Sequence, residues 1–146
     1  MKSGQLKMSN NMIVLDTHVL LWALLSPEEL SEEMRGVISS VQKEGKLIVC
    51  SISLWEIAML KFKKRINIYQ PVKDFLAAIT SVPGLVVKDI SSEIEAESVL
   101  LTNEFYGDPA DRIIIATTKV YGATLITRDQ KILSWAEQGD IRFLKG

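Results

Sequence analysis

The chain has 146 residues, 47% hydrophobic and 24% charged, with 17 lysines and arginines against 18 aspartates and glutamates and a formal net charge of −1. That length suits one domain with a substantial core, and that balance excludes disordered, collagen-like and low-complexity classes. The longest apolar run, Val19 to Leu25, is too short to cross a bilayer.

Residues 1–11 are polar, lack the apolar centre of a signal peptide, and read as a flexible tail before a domain spanning 12–146. Met12 to Leu15 reads as a buried strand, followed by the turn Asp16-Thr17-His18 and a helix to Leu25. Ser26-Pro27-Glu28-Glu29 carries a capping pattern, and a helix from Ser31 to about Gly45 turns Met34, Val37, Ile38 and Val41 inward. Leu47 to Ser51 is the second strand. Cys50 within it is the single cysteine, so it closes no internal disulfide and reads as a small buried hydrophobe; a cytoplasmic location is the matching expectation.

Ser53 opens a helix to about Lys64 that is apolar almost all round and is expected to lie deep. Pro71 starts another, with Val72, Phe75, Leu76 and Ile79 as its inner face, and Pro83-Gly84 turns the chain into the strand Leu85 to Val87. Ser91 or Ser92 caps a helix carrying Ile94, Leu101 and Phe105 towards Asp108. Asp108-Pro109 starts the next helix, an N-cap carboxylate followed by a proline whose missing N–H is harmless in a first turn. Asp111 lies in that turn, Ile113, Ala116, Thr117 and Val120 form the buried face, and Gly122 ends the helix. Ala123 to Thr127 is a strand, Arg128-Asp129 opens a short helix with Ile132, Leu133 and Trp135, and Ile141 to Leu144 is the last strand. Trp22, Trp55 and Trp135 all sit in apolar helical patterns and read as core. Strands alternating with helices, without a hairpin signal, predict an α/β fold: a three-layer α/β/α sandwich around a central, mainly parallel sheet.

Four acids fall in matching places on that scheme. Asp16 follows the first strand, Glu56 lies on the helix after the second, Asp111 is in the first turn of its helix, and Asp129 is two residues past the fourth strand. In an open parallel sheet, ligands gather beyond the carboxyl ends of the strands. Four carboxylates gathered there repel one another and need a cation. Mg²⁺ or Mn²⁺ prefers such oxygen donors, and the same ions suit phosphodiester hydrolysis, which makes a metal-dependent nuclease the sharpest chemical reading. The single histidine, His18, excludes a two-histidine ribonuclease and a zinc site of the usual His/Cys type.

Each acid also has a structural reading. Glu56 completes a Ser53-x-x-Glu56 capping box, Asp129 suits an N-cap or a partner for Arg128, and Asp108 and Asp111 complement a helix dipole. Asp16, ending a buried strand, has no evident structural purpose. His18 reads as a packed or capping side chain. Lys61, Lys63, Lys64 and Arg65 cluster at the end of the Glu56 helix, where they complement its dipole or contact RNA. With the four acids counted as metal-neutralised, 14 of the 18 acids remain against 17 bases, a mildly positive surface compatible with RNA.

Taken together, Leu15-Asp16-Thr17-His18, Ser51-x-Ser53-x-Trp55-Glu56-Ile57, Gly107-Asp108-Pro109-Ala110-Asp111-Arg112 and Ile126-Thr127-Arg128-Asp129 resemble, in order and spacing, the PIN-domain ribonucleases, above all the VapC toxins of type II toxin–antitoxin systems. The resemblance covers Met12 to Leu144. It implies a PIN-like fold and a Mg²⁺- or Mn²⁺-dependent endoribonuclease, commonly a homodimer, held inactive by a cognate antitoxin protein. The family's acidic quartet maps onto Asp16, Glu56, Asp111 and Asp129, with Asp16 and Asp111 as direct metal ligands and Asp108 and Thr127 as accessory positions. The polar segment before Met12, and Thr118 where many relatives carry alanine, depart from the pattern without touching the quartet. An apolar groove between the helix after Asp16 and the Ser26 to Val41 region is the expected antitoxin seat. The alternatives are a PIN-like RNA- or protein-binding module without nuclease activity, whose mark would be a lost quartet acid, and a phosphomonoesterase, which would want Asp-x-Asp where this chain has Asp16-Thr17-His18.

Overall fold

The computed structural model describes residues 11–101, 105, 107–139 and 141–146. Apart from Asn11, the proposed N-terminal tail lies outside the described residues. In chain order the elements are β1 (Ile13–Leu15), α1 (Thr17–Leu25), a 3-10 turn (Pro27–Glu29), α2 (Glu32–Lys43), β2 (Leu47–Cys50), α3 (Ser51–Phe62), α4 (Val72–Thr80), β3 (Leu85–Lys88), α5 (Ser92–Val99), α6 (Pro109–Val120), β4 (Thr124–Thr127), α7 (Gln130–Ala136) and β5 (Arg142–Lys145). The strands form one sheet in the order β3-β2-β1-β4-β5, and every pairing is parallel.

Because side chains alternate along a strand, that sheet feeds two cores. Ile13, Leu15, Val49 and Ile126 pack on one face with Val19 and Leu20 of α1, Ile38 of α2, Ile57 of α3 and Ile79 of α4. Val14, Ile48, Cys50 and Leu125 pack on the other with Ile114 and Ile115 of α6 and Ile132 and Trp135 of α7. The three-layer arrangement predicted from the alternation of elements is therefore present, and Cys50 is buried as expected. No helix among the described residues is long and apolar enough to cross a membrane.

Several local expectations change. α3 starts at Ser51, two residues early, with Cys50 as an N-cap that makes no side-chain hydrogen bond. Ser53 is therefore inside the helix and the Ser53–Glu56 capping box does not exist. Nor is α3 deep: Trp55 is 57% and Phe62 80% exposed. Of the three tryptophans read as core, Trp135 is buried edge-on to Phe105, Trp22 is half-buried, and Trp55 faces solvent. Ser26 makes no side-chain cap, and its segment forms only the 3-10 turn. α5 ends at Val99, so Leu101 and Phe105 join the second core from the connection beyond the helix. Gly122 adopts φ +60 directly after α6, the left-handed conformation that lets the chain leave the helix for β4.

The strand order reverses on either side of β1. Going outward, β2 and β3 lie to one side and β4 and β5 to the other. The crevice between the carboxyl ends of β1 and β4 is thus the switch point at which such sheets bind ligands.

Candidate active site

Asp16 and Asp129 stand on the two sides of that crevice. Leaving β1, the Asp16 backbone N–H still donates to Ile126 of β4 at 3.0 Å, which holds the residue against its neighbour strand. Its carboxylate caps α1, accepting from the Thr17 backbone N–H at 2.8 Å through Oδ1, while Oδ2 accepts from the Thr127 hydroxyl at 2.6 Å. Asp16 thus has a structural purpose that its sequence position does not reveal. The same Thr127 oxygen accepts from the Asp129 backbone N–H at 3.0 Å, and Asp129 in turn caps α7 through Ile132 at 3.1 Å. One buried threonine therefore fastens two acids of the cluster.

Asp108 caps α6 as expected, accepting from the Asp111 backbone N–H at 2.9 Å. The cap holds Asp111 in the first turn, with its side chain half-buried. Arg112 supports the approach to this cap: its guanidinium donates to the carbonyls of Ser98 and Phe105 at 2.9 and 2.6 Å. Asp108→Ala should destabilise the protein by about 1 kcal/mol through loss of the cap. Asp108→Asn keeps an acceptor and removes a charge, so its melting temperature should not fall; paired thermal melts read the contrast.

Glu56 reaches the cluster from the second turn of α3. Its Oε1 accepts a short hydrogen bond from the Thr17 hydroxyl, whose oxygen is also 2.8 Å from Ser53 Oγ. Neither Thr17 nor Ser53 figured as a site residue in the sequence reading. The available signal for Ser53 was its spacing: within a helix, Ser53 and Glu56 lie three residues apart on one face.

The electrostatics show that the acids converge. Asp111 is pushed up from 3.8 to about 7, first by burial and then by Asp108, Asp16, Asp129 and Glu56 in turn. Burial also raises Glu56, with Asp16 and Asp108 adding to the rise and the Thr17 hydroxyl opposing it. Asp16 is raised by burial against the opposition of its two hydrogen bonds, with Asp129 adding to the rise. Every acid of the predicted quartet therefore lies within electrostatic reach of others.

No lysine or arginine among the described residues forms an ion pair with these acids; the one ion pair found joins Lys119 to Glu97. Arg128 does not partner Asp129. It lies over the Trp22 ring at 4.3 Å and donates to the carbonyls of Gly146 and Glu29 at 2.9 and 2.5 Å. His18 is a nearby base whose charge favours the ionised forms of Asp16 and Glu56, but an all-oxygen donor set, mutually repelling and without a lysine or arginine partner among the described residues, fits a hard divalent cation. Among the described residues no three His, Cys, Asp or Glu side chains are close enough together to form a coordination group by themselves.

The basic run is not part of this cluster. Lys61 donates a short bond to the Ile68 carbonyl, and Lys63, Lys64 and Arg65 are exposed beyond the end of α3. Phe62, the last residue of α3, lies six residues past Glu56, about 9 Å along the helix, and Lys63, Lys64 and Arg65 follow it.

Two recesses lie along α1 and α3, and the second borders two of the acids. A groove of about 780 Å³ runs between α1 (His18, Leu21, Trp22, Leu25) and the segment from Leu60 to Phe75. One wall is the helix after Asp16, as expected, but the other comes from residues 60–75, and of the Ser26 to Val41 region only Ser26 lines the groove. A second recess, about 580 Å³, is lined by Ile52, Trp55, Ile90, Pro109 and Ile113 and bordered by Glu56 and Asp108.

Residues 13–137 match the PIN domain family. The chain belongs to that family. Among curated relatives, this PIN-domain chain is 33% identical over 122 residues to Ribonuclease VapC22 of Mycobacterium tuberculosis (strain ATCC 25618 / H37Rv), covering 84% of this chain and 90% of that protein. Among solved structures, it resembles a DNA-bound VapBC from Salmonella typhimurium (TM-score 0.64, 16% identity, 92% of this chain and 97% of that one). It also resembles VapBC2 from Rickettsia felis bound to a promoter DNA fragment (TM-score 0.66, 15% identity, 92% and 98%). At such identities the structural likenesses establish the PIN fold, and the match to the family over most of the chain establishes membership.

Proposed function

We propose that this PIN domain is a Mg²⁺- or Mn²⁺-dependent endoribonuclease and the toxin of a type II toxin–antitoxin pair. The observation that carries the reading is the convergence of Asp16, Glu56, Asp111 and Asp129 on one sheet edge, expressed in the rise of Asp111 to about 7 under the charge of the other acids. The relative named as a ribonuclease VapC and the VapBC neighbours support the activity and the partner.

Asp16 and Asp111 would hold the cation, with Glu56 and Asp129 completing its shell partly through water. When bound, the ion lowers the pKa of water and neutralises charge building on the phosphate oxygens. The remaining work belongs to the chain. Thr127 keeps Asp16 and Asp129 together by accepting from one and donating to the other. Glu56, with Oε1 engaged by Thr17, has its second oxygen available to take the proton of the attacking water. Lys61, Lys63, Lys64 and Arg65 would contact phosphates flanking the cut.

The α1 groove is the proposed seat of the antitoxin, because an amphipathic helix or extended segment could lay apolar side chains against Leu21, Trp22 and Leu25. The exposed Trp55, with Ile52, Ile90 and Ile113, is the face proposed for a second copy of the chain. Trp55→Glu should leave a monomer in sedimentation analysis where the unaltered protein is a dimer. An RNA substrate and a lone, buried thiol suit the cytoplasm.

The test is cleavage itself. Purified protein should cut RNA in Mn²⁺ and stop on chelation, and cleavage unaffected by chelator would remove the metal mechanism. Calorimetry showing no uptake at millimolar Mn²⁺ would favour the binding module instead.

A further inference from the structure

Thr17 follows Asp16 directly and occupies the first position of α1, yet it is 2% exposed and its hydroxyl points away from its own helix, towards α3. There it meets two oxygens one helical turn apart, Ser53 Oγ at 2.8 Å and Glu56 Oε1 at shorter range. A threonine hydroxyl has one proton and two lone pairs. An ionised Glu56 has no proton to give, so the Thr17 proton lies towards Oε1 and the Ser53 hydroxyl must donate to Thr17. The result is a one-way chain, Ser53 to Thr17 to Glu56. Ser53 is fully buried, so the inner end of the chain is shielded from bulk water.

This has a consequence for Glu56. A glutamate on a half-exposed helix surface ordinarily samples several rotamers and loses entropy when one is chosen. Here one carboxylate oxygen is tethered to a buried group, while Oε2 has no hydrogen-bond partner among the described residues. We propose that Thr17, held by Ser53, is the positioning residue for Glu56: it pins Oε1 so that Oε2 faces the cluster formed by Asp16, Asp108 and Asp111. Thr17 is neither ligand nor acid–base group. It couples α1, whose N-cap is Asp16, to α3, which carries Glu56, so the two acids are set relative to each other by one hydroxyl. The inference rests on the nuclease reading for its kinetic arm and on the hydrogen-bond geometry for its structural arm.

The test uses the whole chain with Thr17→Val, which keeps the branched shape and removes the hydroxyl, and Thr17→Ser, which keeps the hydroxyl. In metal-free protein, three-bond couplings of the Glu56 side chain should report a single rotamer in the unaltered chain and in Thr17→Ser, and averaged rotamers in Thr17→Val. At saturating Mn²⁺, Thr17→Val should lower kcat by about 10- to 100-fold, the usual effect of losing an outer partner of a metal-site acid, with KM for RNA unchanged. Thr17→Ser should restore most of kcat. Averaged couplings in the unaltered protein, unchanged couplings in Thr17→Val, or a Thr17→Ser as impaired as Thr17→Val would each overturn the proposal. An unaltered protein that cuts no RNA would instead count against the nuclease reading, and the couplings would still decide the role of Thr17.

Discussion

Asp16→Asn should reduce Mn²⁺-dependent RNA cleavage by about 10³-fold, the equivalent of the several kcal/mol a metal supplies to a charged transition state. The fold should survive, because asparagine caps helices as well as aspartate and can still accept from the Thr17 backbone N–H. What the substitution removes is the charge and the oxygen that accepts from Thr127. Asp111→Asn is the companion, since its carboxyl caps nothing and its neighbours only repel it; it should lose as much activity and unfold at a higher temperature when metal-free. A purified Asp16→Asn/Asp111→Asn protein that still cut RNA at the unaltered rate would end the proposed mechanism. Unfolded variants would show instead that the acids are structural.

The second large effect concerns pH. Asp111 titrates at about 7 in the folded chain against 3.8 as an ordinary side chain, and Glu56 and Asp16 move the same way. Between those values these groups hold more protons in the folded state than in the unfolded one, so their contribution to stability falls as pH rises. The contribution of Asp111 to metal-free stability, read as the difference between the unaltered protein and Asp111→Asn, should therefore be greatest below about pH 4, fall progressively to about pH 7, and level off above it. A divalent cation reverses the loss by binding the ionised cluster. At pH 8, Mn²⁺ at a hundred times its Kd should add about 2.7 kcal/mol, or roughly 5–10 °C in melting temperature. At pH 4, protons hold the site and the increment should nearly vanish. A difference rising through this window, or a Mn²⁺ increment independent of pH, would contradict the account.

The parallel sheet and the order of its layers were legible because buried strands and amphipathic helices alternate along the chain. Asp108 was readable as an N-cap because Asp-Pro is a local signal, and the structure shows the bond to Asp111. Three features were not local. The start of α3 at Ser51, set by tertiary packing and unmarked by any side-chain cap, turned an apparent capping box into a serine buried beneath Glu56. The exposure of Trp55 could not be read from apolar content, because a helix rich in hydrophobic residues around its whole circumference gives no hint of which side is left open. The double use of Asp16, cap and cluster member, depends on Thr127, which lies 111 residues away in sequence. Convergence of the four acids was foreseen from their placement after strands, but what holds them there consists of hydroxyls that no charge pattern reveals.

The bond between Thr127 and Asp16 also bears on the life of the protein during its synthesis. The central strand is made first and its neighbour β4 more than a hundred residues later. A nascent chain therefore carries Asp16 through most of translation with no Thr127 to anchor it and no Asp129 opposite. The cluster is therefore assembled only once Thr127 and Asp129, close to the end of the 146-residue chain, have been added.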